Sequence, residues 1–317
     1  MRIAHVSITP IAGVCWAYSE AFKEAGHECV SICPRGYGDG RSMPSDYDVP
    51  PNAEAREWLN SADLIFCYQG VPYIQDWYPQ ERPTLVVYVS QPIARHVNRQ
   101  AEKDGWPWAV LGEYQTRLYP GCVPVPELIP FASQWFQPGE KPKDRIRIAY
   151  SPSNVSQRDW DDKGADATIA AILERVAGQG EPGLPRVEAE IIQQRPLMEC
   201  LVKKSTCHIA IDECVTGSYH YNSLQGLALG CVTVNNCDDL CADNIRLMTG
   251  GCDHPFVTTD LARLPEALLA LTKLGPERLE LMGQMNRQWM ESAWALGPMI
   301  YRNFTPLMDA AIAKGAK

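Results

Sequence analysis

No apolar run in this chain approaches the roughly 18 residues that a membrane-spanning helix needs. Its first residues, MRIAHVSITP, lack the long apolar core of an export leader. These absences suggest a cytoplasmic protein without a membrane span, its thiols kept reduced. Positive charge is also scarce: 29 Lys and Arg against 38 Asp and Glu give a net charge of -9. That argues against a protein whose whole surface grips nucleic acid, but leaves room for one basic cleft. There is no G-x-G-x-x-G after the first apolar run and no G-x-x-x-x-G-K-[ST] anywhere. A dehydrogenase of standard type and a P-loop nucleotidase both lose support. Internal repeats and low-complexity segments are missing too.

What is present suits a soluble globular chain of two domains. It has 317 residues, 45% of them hydrophobic and 21% charged. Twelve cysteines are scattered along it, and the default role of such thiols is packing.

The opening reads as strand, turn, helix, strand: RIAHVSI, TPIAG, VCWAYSEAFKEAG and HECVSIC. Gly26 suits the residue just past the helix end. Such βαβ units build parallel sheets. SADLIFCYQG and PTLVVYVSQP are further buried strands, each ending in small or polar residues. Ligands of open α/β sheets bind beyond the carboxyl ends of strands, which sets Gly13, Gln69, Gly70, Ser90 and Gln91 on one rim. His96 follows close behind. Gln91 and His96 are candidates to touch a second substrate, although a plain surface role is the simpler reading of His96.

PGCVPVPELIPFASQWFQPGEKPKD carries six prolines and reads as an irregular linker. A domain boundary is placed near residue 140. The α/β pattern then restarts with RIRIAYS, ADATIAAILERVAGQG, VEAEIIQ, PLMECLVKKS, CHIAIDE, NSLQGLALG and CVTVNN. From Leu264 the chain reads as helical, interrupted at Pro298 and Pro306.

Two loops of this second half suit a diphosphate. In YSPSNVSQRDWDDKGAD a strand ends near Ser153 and Asn154, and Arg158 and Lys163 follow just ahead of a helix. Free N–H groups at a helix start and a neighbouring lysine attract phosphate. The same residues would also suit a solvated loop. In GSYHYNSLQGLALG, Gly217 permits a sharp turn, and Asn222, Ser223 and Leu224 open a helix. Gln225 sits one turn in, within reach of a sugar hydroxyl. The plainer alternative makes Asn222 or Ser223 an N-cap and Gln225 a surface residue.

IAYSPSN…KGAD…IAAILE, AIDECVTGSYHYNSLQGLALGCVTVNN and the opening RIAHVSITPIAG together resemble the family 4-like, retaining group of GT-B glycosyltransferases. The likeness is scattered over most of the chain and dense between about residues 146 and 236. It implies an α/β fold of two Rossmann-like domains facing each other across a cleft. Residues 1–140 would bind the acceptor, 141–290 a nucleotide-diphosphate sugar, and the helices of 291–317 would pack back across both. It implies that Lys163 and Arg158 neutralise the leaving diphosphate. Ser153, Asn154, Gly217 and the helix start at Asn222, Ser223 and Leu224 would hold the donor.

Two residues depart from the group's pattern. Gln225 stands where a glutamate binds the ribose hydroxyls, and His220 where a glycine lies beside the phosphates. An amide lacks the charge-assisted bonds of a carboxylate. The implied activity is sugar transfer with retention, needing no metal or other cofactor. A degenerate site that binds a nucleotide sugar or glycan without turnover is the alternative, and a nucleotide-sugar epimerase a further one. The acceptor is left open as a glycan, a small molecule or modified nucleic acid. The last case draws on the basic run RHVNRQAEK, which also suits a solvated helix face.

Cys237, Cys241, Cys252 and His254 offer thiols and an imidazole to zinc, but their spacing is not that of the usual structural sites. Aromatic stretches such as YQGVPYIQDWYP and GWPWAVLGEYQTRLYP can stack on sugars or bases, and can equally anchor loops.

Overall fold

The computed structural model describes residues 1–9, 11, 13–34, 44–152, 166–178, 185–193 and 195–316. By contacts the chain forms two compact units. One comprises Met1–Ala132, Leu247–Gly251 and Trp294–Lys317, the other Ser133–Arg246 and Cys252–Ala293.

The first unit is built on β1 (Arg2–Val6), α1 (Val14–Glu24), β2 (Glu28–Ile32), α2 (Ala53–Ser61), β3 (Leu64–Tyr68), β4 (Thr84–Tyr88), α3 (Gln100–Lys103), β5 (Trp108–Leu111) and β6 (Pro124–Val125). All six strands are parallel, in the order β2-β1-β3-β4-β5-β6. A parallel sheet is covered on both faces, so β3 and β4 are buried at every position. The stretch expected to be an irregular linker contributes β6, which pairs with β5.

The second unit runs β7 (Arg145–Tyr150), α4 (Asp166–Gly178), β8 (Arg186–Ile191), α5 (Leu197–Ser205), β9 (Ile209–Ile211), α6 (Tyr221–Ala228), β10 (Val232–Asn235), α7 (Asp239–Thr249, whose last residues group with the first unit), β11 (Val257–Thr258), α8 (Leu264–Thr272) and α9 (Pro276–Ala293). Its sheet is parallel throughout, ordered β11-β10-β9-β7-β8. The edge strand β8 is charged and half exposed, with Arg145 to Glu188 and Arg147 to Glu190 paired across to β7 at 3.0 and 2.7 Å. Charges on an edge discourage pairing with another chain.

The chain ends in α10 (Leu296–Asn303) and α11 (Thr305–Gly315). Both pack in the first unit, α10 on α1 and α11 on β3 and β4. Phe304 between them meets Tyr18, Phe22 and Phe66 at ring distances of 5.6, 5.8 and 5.9 Å. Pro306 falls in the first turn of α11, where its missing N–H is harmless. Among the described residues, no helix is long and apolar enough to cross a membrane.

Candidate functional site

β9 is a central strand of the second sheet, and Asp212 and Glu213 follow at its carboxyl end. Both carboxylates are buried. Such groups persist in an interior only when donors surround them. Glu213 accepts from the N–H groups of Val215, Thr216 and Ser218 at 2.8, 2.7 and 3.2 Å, and from Thr216 Oγ1 at 2.8 Å. These bonds wind the chain into a tight loop, which turns at Gly217 with φ 74°.

Asp212 ties the end of that loop to the start of α6. It accepts from the His220 N–H at 2.9 Å, Ser223 Oγ at 2.7 Å and Asn222 Nδ2 at 3.2 Å. Ser223 Oγ in turn accepts from Asn235 Nδ2 at 2.9 Å. The N-cap of α6 is His220, not Asn222 or Ser223, and its side chain makes no capping bond. The His220 imidazole lies beside Asp212, Nδ1 being 3.4 Å from Oδ2. Leu224 is buried beneath the helix start. Gly226 lets α6 lie close on the sheet, since a Cβ there would stand 2.6 Å from Thr233 Oγ1 and 3.1 Å from Ala210 Cβ. The helix start is thereby fixed at the strand-end rim, where the Ser223 and Leu224 N–H groups donate to the His220 carbonyl at 2.8 and 3.4 Å.

Gln225 is not a surface residue: it is 5% exposed. Its Oε1 accepts from the ammonium of Lys204, at the end of α5, at 2.9 Å. Lys204 also donates to Asn222 Oδ1. It is 1% exposed, and burial pulls its pKa below the ordinary 10.5, against the attraction of Asp212 and nearby thiols. Lys204 thus takes up one of the two lone pairs of the Gln225 amide oxygen. Sequence reasoning missed Lys204, because nothing in the Lys203-Lys204 pair marks which lysine is buried.

Gly217, His220, Asn222, Ser223, Leu224 and Gln225 therefore lie together around Asp212 and Lys204. Ser153, Asn154, Arg158 and Lys163 lie outside the described residues.

The first unit carries its own polar rim. Gly13, at φ 74°, is the N-cap of α1. Gln69, just past β3, holds φ 63°, and Gly70 follows at 67°. Gly70 is required, since a Cβ would fall 2.0 Å from the Asn98 carbonyl. Gln69 Oε1 accepts from the Val89 and Ser90 N–H groups at 2.5 and 3.3 Å. Ser90 Oγ lies 2.8 Å from His96 Nε2, and its carbonyl accepts from Tyr119 Oη at 2.8 Å. His96 is thus held against Ser90. Gln91 is buried next to them.

Cys237 and Cys241 are buried, whereas Cys252 is exposed. Among the described residues, no group of three or more His, Cys, Asp or Glu side chains is placed to hold a metal ion.

No protein-family model and no curated protein matches this chain. Solved structures do. AviGT4, a glycosyltransferase involved in avilamycin A biosynthesis, aligns over 98% of this chain and 98% of its own, with 13% identity and a TM-score of 0.52. A mutant O-GlcNAc transferase of Thermobaculum terrenum aligns over 100% of this chain and 68% of its own, with 14% identity and a TM-score of 0.54. At such identities the likeness establishes the fold: this chain has the GT-B architecture of two Rossmann-like domains.

Proposed function

We propose that the protein transfers a sugar from a nucleoside-diphosphate sugar to an acceptor. The observation that carries this is the helix start of α6, fixed by Asp212 at the carboxyl rim of the second sheet. A helix N-terminus at that rim is where a diphosphate is stabilised in open α/β sheets. Both solved structures named above bear the names of glycosyltransferases.

In this reading the second unit holds the donor, through Gly217, His220, Asn222, Ser223, Leu224 and Gln225, and Ser153 and Asn154 also serve the donor, as the resemblance in sequence implies. Charge grows on the diphosphate as the sugar departs. The positive end of the α6 dipole, Lys163 and Arg158 stabilise that charge, as fixed dipoles and cations do in a closed site. The first unit takes the acceptor near Gly13, Gln91 and His96, and α10 and α11 complete the fold. Retention, independence from metal and a cytoplasmic location are the finer parts of the proposal. The first two follow the resemblance in sequence.

One observation favours a second reading, binding without turnover: the Lys204 ammonium already engages the Gln225 oxygen that a ribose hydroxyl would need.

The test is a thermal-shift screen of nucleoside diphosphates and their sugars on the wild type and Lys163→Ala, joined to a product assay. A ligand specific to the native state at a hundredfold excess over its Kd adds about 2.7 kcal/mol of stability. The proposal expects a shift with one nucleotide class that Lys163→Ala loses, and a sugar product. A shift without product under any acceptor supports the binding-only reading. No shift with any nucleotide rejects both.

A further inference from the structure

Six buried polar side chains of the first unit lie past the carboxyl ends of its strands. Ser7, Gln69, Gln91, Glu113, Gln115 and Glu127 are all buried, and they follow the carboxyl ends of β1, β3, β4, β5 and β6. Gln69 Nε2 and Gln115 Oε1 have no hydrogen-bond partner among the described residues.

Gln69 is 1% exposed and its orientation is settled. Its Oε1 must face the Val89 and Ser90 N–H groups, because backbone N–H only donates, so Nε2 faces elsewhere. The residue keeps this pose at φ 63°, a region that side chains other than glycine rarely enter. Gln115, in the turn Tyr114–Leu118 after β5, is 3% exposed. A buried amide atom without a partner is costly, so two at one strand-end rim call for a ligand that completes them.

We infer that this rim binds a neutral, hydroxyl-bearing acceptor, with Gln69 Nε2 donating to one of its oxygens and Gln115 accepting from one of its hydroxyls. A hydroxylated molecule both donates and accepts, and so answers a bare donor and a bare acceptor together. Naming the ligand an acceptor rests on the transfer reading above.

Charge selects against an anion. Glu113 and Glu127 bring buried carboxyl groups to the rim, while no Lys or Arg is buried among the described residues of this unit. Within the basic run after β4, one charge is already matched. Arg99 is held by Glu102 through bonds of 2.7 and 2.6 Å and lies over Tyr119 and Trp108 at 5.7 and 5.9 Å. Ile93, 87% exposed in the loop after β4, adds apolar surface for an uncharged molecule.

The experiment compares 4-nitrophenyl β-glucoside with 4-nitrophenyl β-glucuronide, which differ by one carboxylate, by ligand-observed NMR titration of the full chain. Wild type, Gln69→Glu and Gln115→Met are used, each checked for folding by thermal melting. Gln69→Glu keeps an oxygen for Val89 and Ser90 and puts a carboxylate oxygen where the donor was. The expected result is glucoside binding about tenfold tighter than glucuronide binding in the wild type, and about tenfold weaker glucoside binding in either variant, the usual scale for one lost hydrogen bond. Should one variant fail to fold, the other decides. Equal affinity for the two probes, no binding of glucoside by the wild type, or unchanged affinity in a folded variant would overturn the inference. Nucleoside-diphosphate binding, measured in parallel on the wild type, separates the two proposals. Its absence beside intact glucoside binding rejects the transfer reading and leaves this site standing; the reverse pattern rejects this site alone.

Discussion

The Lys204 ammonium lies 2.9 Å from Oε1 of Gln225, and both side chains are shut away from solvent. An amide gives a buried cation a dipole but no counter-charge, and burial holds the Lys204 pKa below 10.5. Between that lowered value and 10.5, the unfolded chain binds more protons than the folded one, so this lysine makes stability rise with pH across the alkaline window. Lys204→Met should lack that component. Gln225→Glu places a carboxylate beside the ammonium, favours its charged form and should flatten the rise. Urea unfolding of the three proteins at about pH 8 and pH 10 compares them directly. An undiminished rise in Lys204→Met would show that another group is responsible.

Acid acts through a different residue. His5 is buried in β1, with Nδ1 2.9 Å from Tyr68 Oη and its ring 4.7 Å from Phe66 and 5.4 Å from Phe22. Burial drives its pKa from 6.5 to about 3. Because the folded form binds the proton less well, the contribution is complete above pH 6.5 and fades as pH falls toward 3. The loss at pH 4 should be about 3 kcal/mol. His208, lowered to about 4 in the second unit by burial and then by Lys141, adds a smaller effect of the same sign. His5→Gln stays neutral at every pH, so its free energy of unfolding should fall less between pH 7 and pH 4 than that of the wild type. Parallel curves for the two proteins would dismiss His5 as the acid sensor.

Helix α9 seats on the turn that ends α6. Asn286 Nδ2 donates to the Cys231 carbonyl at 2.8 Å, and Arg287 donates to the carbonyls of Phe136 and Ala228 at 2.5 and 2.6 Å. At the crossing, a Cβ on Gly283 would stand 1.9 Å from the Gly230 carbonyl oxygen. Backbone meets backbone there, so no side chain can swing aside. Gly283→Ala should cost about 2–3 kcal/mol in chemical denaturation, as overpacking typically does. Gly297→Ala is the control, since its Cβ meets nothing within 4 Å, and it should be neutral or slightly stabilising. Equal effects from the two substitutions would mean that helix propensity, not the crossing, governs both.

The sequence discloses the elements more readily than their partners. Strands such as LIFCY and TLVVY are legible because parallel strands buried on both faces are continuous apolar runs. β5 hides inside a stretch rich in tryptophan and tyrosine, and β6 has only two residues, Pro124 and Val125, so neither carries a period. The helix from Tyr221 is legible from its leucines. The carboxylate that fixes it is not, because Asp212 reaches Ser223 and His220 only once the loop has folded back. Gln225 and Lys204 show the same limit: burial of a lysine is a property of packing, and pattern alone assigns it to the surface.

The cysteines provide a last check on packing. All twelve are thiols in the structure, and Cys252 alone is exposed. Reactivity requires the thiolate, and burial pushes Cys29, Cys67 and Cys207 up to about 12. Titration with a chromogenic disulfide near neutral pH should label one thiol at once. Cys122 and Cys200, half-buried, should follow slowly, and the rest only in denaturant. Peptide mapping of the first labelled site should return Cys252. A zinc site formed by Cys237, Cys241, Cys252 and His254 would behave differently, since bound metal protects its thiolates until a chelator removes it. Fast labelling of Cys252 that chelator leaves unchanged therefore fits packed, independent thiols. Labelling that waits for the chelator, with Cys237 and Cys241 released together, would instead establish the metal.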